Sequence, residues 1–181
     1  MYSCLKSYGI DGIDAFPVTV EATFGRAMPG FDIVGLPDAA IKESRLRVQS
    51  SIRLCGYELP AGRITVNLAP ASQRKFGPAF DLPIFLAVLA ATNQLSSLPE
   101  DAAFVGELSL SGQIRPVNGV LSMALRAKAD GIPAFFVPEE NAKEASIVEG
   151  LTVYPVSDIT ALLAHLNGSS PITPVEFDPL L

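Results

Sequence analysis

The alternation of apolar and polar residues predicts a sheet within the first 70 residues. Val18, Val20 and Ala22 alternate with polar neighbours, and the run RITVNLA repeats the pattern, which is typical of half-buried strands. Four strands are expected here, over 2–10, 15–24, 31–36 and 63–69. The first two are joined by the turn at Asp11-Gly12, so we expect them to pair as an antiparallel hairpin.

Apolar residues recur with a helical period between the third and fourth of these strands and again after the fourth. Asp38 is suited to cap a helix in which Ile41, Val48 and Ile52 recur on one face. The stretch 81–93 is apolar on nearly all sides, which predicts a central helix. Later helices are expected over 119–130, 139–147 and 158–166, and later strands over 103–110, 113–116, 134–137 and 151–154. This order predicts an α/β (α+β) domain, a layered sheet with packed helices.

The composition favours one globular domain without a membrane segment. Of the 181 residues, 49% are hydrophobic and 18% charged, which excludes a disordered chain. The longest apolar run, 82–92, is about half the roughly 20 residues that a membrane span needs. Cys4 and Cys55 lack metal or disulfide spacing and, without a signal peptide, are interpreted as reduced thiols of a cytoplasmic protein. The single histidine, His165, excludes a His-rich metal site, and no metal site is expected.

The C-terminal stretch NGSSPITPVEFDPLL has three prolines and no apolar period. This composition is typical of a linker or a frayed end. The domain is therefore predicted to cover 1–166, with a proline-rich linker over 167–181.

Charge is unevenly distributed along the chain. The net charge is −6, and the segment 144–181 contains five acidic residues and no lysine or arginine. The segment 42–75 has the opposite balance, with seven basic residues and two acidic ones. One interpretation is that this segment forms a positive surface that could bind a polyanion. The alternative is a solvated face on which neighbouring acidic residues offset the cations.

The stretch RKFGPAFDL, residues 74–82, joins a charged turn to the start of the central helix. None of the 14 glycines precedes a lysine, and no Gly-x-Gly-x-x-Gly occurs, so neither standard nucleotide-binding loop is present. A nucleophile would need a Ser, Thr or Cys beside a base. Here Gly77-Pro78 is followed by Ala79, which cannot ionise. Asp81 is interpreted as a helix cap and a partner of the helix dipole.

Residues 106–141 resemble the second half of the Lon protease proteolytic domain. The shared features are a strand with Gly-Glu, a Gly turn, the Pro-x-x-Gly helix start at 116–119 and the Pro-x-x-Asn at 138–141. Residues 75–79 lie where Lon has Lys-Asp-Gly-Pro-Ser, so Ala79 replaces the serine nucleophile. Leu121 replaces the lysine base. The resemblance implies a Lon proteolytic-domain-like, ribosomal protein S5 domain 2-like fold with no catalytic residues.

Residues 17–71 resemble the N-terminal domain of magnesium-chelatase-like AAA+ ATPases, the ComM/YifB family. The shared motifs include Pro29-Gly30, VGLP at 34–37, NLAP at 67–70 and DLP at 81–83. The resemblance implies that a C-terminal ATPase module, using ATP and Mg²⁺, follows this domain in the parent protein. It also implies a homo-oligomeric ring, a hexamer, that processes DNA in natural transformation and branch migration. No cofactor is expected in this chain itself.

The implied DNA role directs attention to the basic segment. At 100° per residue, Lys42 and Arg53 lie within about 20° of one another on their helix. Arg45 is expected at the margin of the apolar stripe, paired with an acid or snorkelling. The candidate nucleic-acid-binding residues are Lys42, Arg53, Arg74 and Lys75, which would contact phosphates.

Three functional hypotheses follow from the sequence. The first is a noncatalytic domain that scaffolds the ring and contacts DNA. The second is a protein–protein interaction module of a chelatase-like or chaperone-like AAA+ ATPase without DNA contact, which the overall acidity favours. The third is a cryptic Lon-like serine hydrolase, which the replaced dyad argues against.

Overall fold

The computed structural model describes residues 1–180 and begins with a long hairpin. Strand β1 (Tyr2–Asp11) pairs antiparallel with β2 (Asp14–Gly25). Gly12, with a φ of 64°, makes the tight turn between them, which a residue without a Cβ adopts at least cost. The hairpin predicted around Asp11-Gly12 is confirmed.

A crossover unit extends this hairpin on one side. Strand β3 (Gly30–Val34) leads into helix α1 (Ala39–Leu54), and β4 (Arg63–Ala69) returns beside β2. Strand β4 is antiparallel to β2 and parallel to β3, because a helix separates β3 from β4 along the chain. Strand β3 is thus an edge of the sheet.

The second half of the chain alternates helices with parallel strands. Its helices are α2 (Asp81–Ala91), α3 (Val120–Ala129), α4 (Ala142–Ala145) and α5 (Ile159–Leu166). Its strands are β5 (Ala102–Phe104), β6 (Glu107–Leu108), β7 (Ile114–Arg115), β8 (Ala134–Pro138) and β9 (Thr152–Val156). The main sheet has the order β3-β4-β2-β1-β5-β8-β9, and β6 and β7 form a small second sheet.

The core lies on both faces of the main sheet. On β8, Phe136 packs with residues of α1, α2 and α5, whereas Phe135 and Val137 pack with residues of α3 and α4. Successive strand residues point to opposite faces, so the two groups of helices cover opposite faces. Helix α2 is buried on nearly all sides, as its composition predicts. The α/β (α+β) fold class, a layered sheet with packed helices, is confirmed.

The predicted long strand over 103–110 is divided in the structure. At Gly106 the chain leaves the main sheet, because the Gly106 N–H donates to Ala79 O at 2.9 Å and Leu82 N–H donates to Gly106 O at 3.0 Å. The predicted helix over 139–147 is also shorter. A 3-10 turn over Glu139–Asn141 precedes the single turn of α4.

The linker prediction for 167–181 needs correction as far as Val175. The Ile172 N–H donates to His165 Nδ1 at 2.8 Å, and the Val175 N–H donates to Val153 O at 2.9 Å. Ile172 and Val175 also pack against the core. The absence of an apolar period predicts a linker or a frayed end, yet Ile172 is hydrogen-bonded to α5 and Val175 to β9. Leu181 lies outside the described residues.

No helix within residues 1–180 is both long enough and apolar enough to cross a membrane.

Candidate functional site

The charged turn at 74–78 is joined to the start of α1 by main-chain hydrogen bonds. The Lys75 N–H donates to Leu36 O, and the Asp38 N–H donates to Lys75 O, both at 3.1 Å. Asp38 also caps α1 by accepting from the Ile41 N–H at 2.8 Å. Its second oxygen accepts from the Gly77 N–H at 3.0 Å. One carboxylate therefore fixes both the helix start and the turn.

The side chain of Lys75 is fully buried in this connection. Its ammonium donates to Gly35 O at 2.9 Å and also to Pro70 O. Gly35 has a φ of 104°, and a Cβ there would lie 2.2 Å from Leu68 O. Only glycine therefore allows the backbone at position 35 to lie this close to the backbone of β4. Burial lowers the pKa of Lys75, because a low-dielectric surrounding disfavours the charged form.

The expectation that Lys75 binds DNA is wrong for geometric reasons. A phosphate contact needs an ammonium that reaches solvent, and none of the Lys75 side chain is exposed. Sequence alone could not separate it from its neighbour Arg74, since both are cations of the same turn. The arginine is exposed, with its guanidinium 5.9 Å from the ring centroid of Phe76.

A cavity of about 450 Å³ opens beside Ala79. It lies between the β1–β2 turn, the 76–80 segment and the start of α3. Ala79 lines it where the Lon resemblance places a nucleophile. Leu121, at the position of the lysine base, is 37% exposed and is not part of the cavity lining.

The cavity walls lack the serine and lysine of a Lon-type dyad. They contain no Ser, Thr, Cys, His or Lys side chain, and their polar side chains belong to Tyr8, Glu107 and Asn118. The Tyr8 hydroxyl donates to Asp130 Oδ2 at 2.9 Å. Burial and this carboxylate raise the pKa of Tyr8, so the phenol remains protonated. A Lon-type dyad requires a serine beside a lysine base, and neither residue type lines this cavity.

Asp81 forms a buried polar centre instead of a helix cap. It is the first residue of α2, and its carboxylate accepts from Ser44 Oγ, from the Arg47 guanidinium and from the Leu108 N–H at 3.0 Å. The Arg47 Nε–Oδ2 distance is 2.6 Å and the Nη2–Oδ1 distance is 3.1 Å. This bidentate pair raises the pKa of Arg47. The interpretation of Asp81 as a cap is corrected: it ties α1, α2 and β6 together.

The opposite face of α1 presents three cations. Lys42, Arg45 and Arg53 are exposed, and within residues 1–180 none of them forms a salt bridge. Two cavities of about 470 and 550 Å³ lie along this face against β3, and Arg45 lines both. We call Lys42, Arg45 and Arg53 the basic stripe.

The structure thus revises the sequence-predicted set of cations. Lys42 and Arg53 lie on one face, and Lys75 is buried. Arg45, for which the sequence predicts snorkelling or a pair with an acid, is exposed on the same face and forms no salt bridge within residues 1–180. The spacing of Lys42, Arg45, Gln49 and Arg53 at i, i+3, i+7 and i+11 was the available signal, because these positions share a helix face. The bridge between Lys75 and Pro37 places Arg74 near the N-terminal end of α1.

A standard phosphate-binding loop needs a Gly-Lys pair, and none occurs in the sequence. The ammonium of Lys75, the lysine of the 74–78 turn, donates to two carbonyl oxygens instead. Within residues 1–180, no group of three or more His, Cys, Asp or Glu side chains could hold a metal ion.

Comparison with known proteins places these features in a family. The family model described as "Subunit ChlI of Mg-chelatase" matches residues 20–141, about two thirds of the chain. An uncharacterized protein YifB of Escherichia coli is 41% identical over 158 residues, 87% of this chain and 31% of the relative. Competence protein ComM of Haemophilus influenzae is 40% identical over the same shares.

A weaker similarity extends to Lon protease. Lon protease of Mycolicibacterium smegmatis is 24% identical over 167 residues, 86% of this chain and 21% of that protein. The chain spans about a third of the length of YifB and ComM. Because the family model covers most of the chain, including the VGLP motif, the basic stripe and the Ala79 cavity, this chain belongs to the Mg-chelatase subunit ChlI-like family.

Proposed function

We propose that this chain is a noncatalytic domain of a Mg-chelatase-like AAA+ ATPase that processes DNA. The family match and the ComM relative support a competence-related AAA+ protein. Within it, the domain scaffolds a homo-oligomeric ring and contacts DNA through the basic stripe. ATP and Mg²⁺ belong to a C-terminal ATPase module, and the protein acts in the cytoplasm.

The observation that carries the noncatalytic role is the lining of the Ala79 cavity. The turn, the helix start and the enclosed space are present, but neither a serine nor a lysine lines the cavity. Proteolysis by a Lon-type dyad would need both groups within hydrogen-bond reach. Without them the cavity is not expected to cleave peptides by the Lon mechanism.

The observation that supports DNA contact is the unpaired state of the basic stripe. Lys42 and Arg53 are eleven residues apart, so they span about 16 Å along α1. That length corresponds to about five nucleotide steps of one strand. Arg74 extends the positive surface beyond the N-terminal end of the helix. The cations of the stripe would contact phosphates, so binding is not expected to depend on base sequence.

Affinity for DNA is expected to depend on the ring. A net charge of −6 opposes association with a polyanion, and three or four phosphate contacts give weak binding in a single domain. A ring presents the stripe several times to one DNA molecule, which multiplies the effective affinity without new contacts.

The noncatalytic role is tested by hydrolysis assays. The purified chain should not cleave casein or fluorogenic peptides above a blank, and it should not bind ATP at micromolar concentration. Turnover that tracks the folded protein through a gel-filtration peak would overturn this part of the proposal.

The DNA contact is tested by fluorescence anisotropy of a labelled duplex at several salt concentrations. Lys42→Glu with Arg53→Glu should abolish binding, and binding of the parent should fall steeply with salt. Lys6→Glu with Lys143→Glu is the matched control, because both cations are exposed and the net charge changes equally. If both double variants lose DNA affinity equally, the loss is due to overall charge. The proposed DNA contact would then fail, and only the protein-interaction role would remain.

A further inference from the structure

The outer edge of β3 is an unpaired strand edge. Within residues 1–180, strand β3 pairs with β4 alone, and the Gly30 N–H donates toward that side, to Gly62 O. In a parallel pair the main-chain groups of successive residues point alternately to the two sides. Phe31 and Ile33 therefore present their N–H and C=O groups outward. Such an edge is a template for another extended segment.

The basic stripe forms one wall of a groove along this edge. Arg45 lies in the middle and contributes to the cavities at both ends, with Lys42 at one end and Arg53 at the other. The acid nearest the groove, Asp32, is neutralised by Arg63 at 2.6 Å. The groove therefore favours an extended segment that is acidic.

The far edge of the same sheet supplies a segment of that kind. Residues 171–180 contain Glu176 and Asp178 and no lysine or arginine. The segment meets β9 at Val175, and the residues from Glu176 to Leu180 are exposed. In an extended chain Glu176 and Asp178 share one face, and Phe177 points to the other.

The side chains on the two edges match in position. Carboxylates on one face of an added strand would meet the basic stripe, which overhangs β3 on the α1 side. Phe177, 43% exposed, would then lie on the opposite face, where Val34 of β3 is 45% exposed. The added strand would thus hydrogen-bond to the main chain of β3, pair its carboxylates with the basic stripe and cover the apolar side chain of Val34.

The segment cannot reach the groove of its own chain while it is held on β9. The two edges are six strand spacings apart, which is about 29 Å at 4.8 Å each. Five residues beyond Val175 extend at most about 17 Å. The occupant must come from another molecule.

We propose that the acidic segment around Glu176–Asp178 of one copy adds to β3 of a second copy, in the groove formed with the basic stripe. This inference rests on the ring scaffold of the proposed function and is an alternative to its DNA contact, because the added segment would cover the basic stripe. The two surfaces are different and lie at opposite edges, so the contact is head-to-tail. Such contacts generate closed rings when the rotation closes and filaments when it does not.

The contact is tested with a labelled peptide of residues 173–180 titrated with the full chain. Binding should be salt-sensitive and at least tenfold weaker for Arg45→Glu, whereas Lys143→Glu should bind like the parent. A peptide with Val175→Pro and Phe177→Pro keeps both carboxylates but cannot pair as a strand, and it should not bind. Equal binding of that peptide would overturn strand addition.

Sedimentation of the full chain gives a second, independent readout. Self-association should weaken in Arg45→Glu and in Glu176→Lys with Asp178→Lys, and mixing the Arg45→Glu and Glu176→Lys/Asp178→Lys proteins should restore it. Failure of the mixture to associate would overturn the pairing of these two edges.

Duplex DNA separates this inference from the proposed function. If DNA binds in a salt-sensitive manner and the peptide does not, the inference fails and the DNA contact stands. If the peptide binds and DNA does not, the inference stands and the proposed DNA contact fails.

Discussion

Helix α1 carries arginines on two faces, and the faces have opposite roles. On the inner face, Arg47 is 19% exposed and lies 2.6 Å from the fully buried Asp81. On the outer face, Arg45 is exposed and has no salt-bridge partner within residues 1–180. The two residues are two positions apart in the same charged stretch, and only their surroundings differ.

The difference teaches that charge in a sequence does not identify a binding residue. A guanidinium enclosed with a carboxylate is committed to the fold, because separating them would leave a buried charge unpaired. A guanidinium without a partner can accept an external anion with little rearrangement. Lys75 and Arg74 repeat the contrast in one turn, where the lysine is buried against carbonyl groups and the arginine is exposed.

The largest effect is expected at the inner face. Asp81→Ala removes the bidentate partner of Arg47, which keeps only the 3.7 Å contact with Glu43. It also removes the acceptor of the buried Ser44 hydroxyl and of the Leu108 N–H. The free energy of unfolding should fall by about 3–5 kcal/mol, measured by urea denaturation. Arg45→Ala is the control for losing an arginine of α1 and should change stability by less than about 0.5 kcal/mol. Equal losses in the two variants would remove the distinction between the faces.

A smaller loss is expected at the buried lysine. Lys75→Ala removes a packed side chain and its hydrogen bonds to Gly35 O and Pro70 O. Pro70 O keeps the Gln73 N–H at 3.4 Å, and the free energy of unfolding should fall by about 1–3 kcal/mol. Arg74 is one position earlier and exposed, so the free energy of unfolding of Arg74→Ala should lie within about 0.5 kcal/mol of the parent value. Thermal denaturation of both variants provides the comparison. A more stable Lys75→Ala protein would show that burial of the ammonium outweighs its hydrogen bonds.

Stability at the β9 edge of the sheet, which lies opposite β3, should depend on pH. His165 packs against Phe136 and Tyr154, and its Nδ1 accepts the Ile172 N–H. Burial lowers the pKa of His165. Below about pH 6.5 the unfolded chain binds a proton that the folded chain resists, so stability should fall as the pH falls from 6.5 through the folded-state pKa.

The measurement is urea denaturation between pH 7.5 and pH 5. In His165→Gln this part of the pH dependence should disappear. If the free energy of unfolding of His165→Gln falls with pH as steeply as that of the parent, the dependence comes from other groups.

The smallest effect on stability is expected at the outer face. Lys42→Glu with Arg53→Glu removes no packing and no salt bridge among the described residues, so the melting temperature should stay within about 2 °C of the parent. Differential scanning calorimetry checks this directly. A marked fall would mean that the stripe belongs to the fold, as Arg47 does.

Much of the fold follows from local patterns in the sequence. The β1–β2 hairpin, α1 with its Asp38 cap, β4 and the apolar α2 were all predictable, because periodicity and capping act over a few neighbouring residues. The replacement of a nucleophile by Ala79 is equally local, since a side chain that cannot ionise excludes that chemistry in any fold.

Tertiary structure alone decided which polar residues are available. Asp81 and Ser44 are 37 positions apart, and Lys75 and Gly35 are 40 apart, so their pairing depends on how the loops close. The same holds for Val175, which reaches β9 through one hydrogen bond. Burial and partner distance are long-range properties, and they separate Lys75 and Arg47, which stabilise the fold, from Lys42, Arg45 and Arg53, which face solvent.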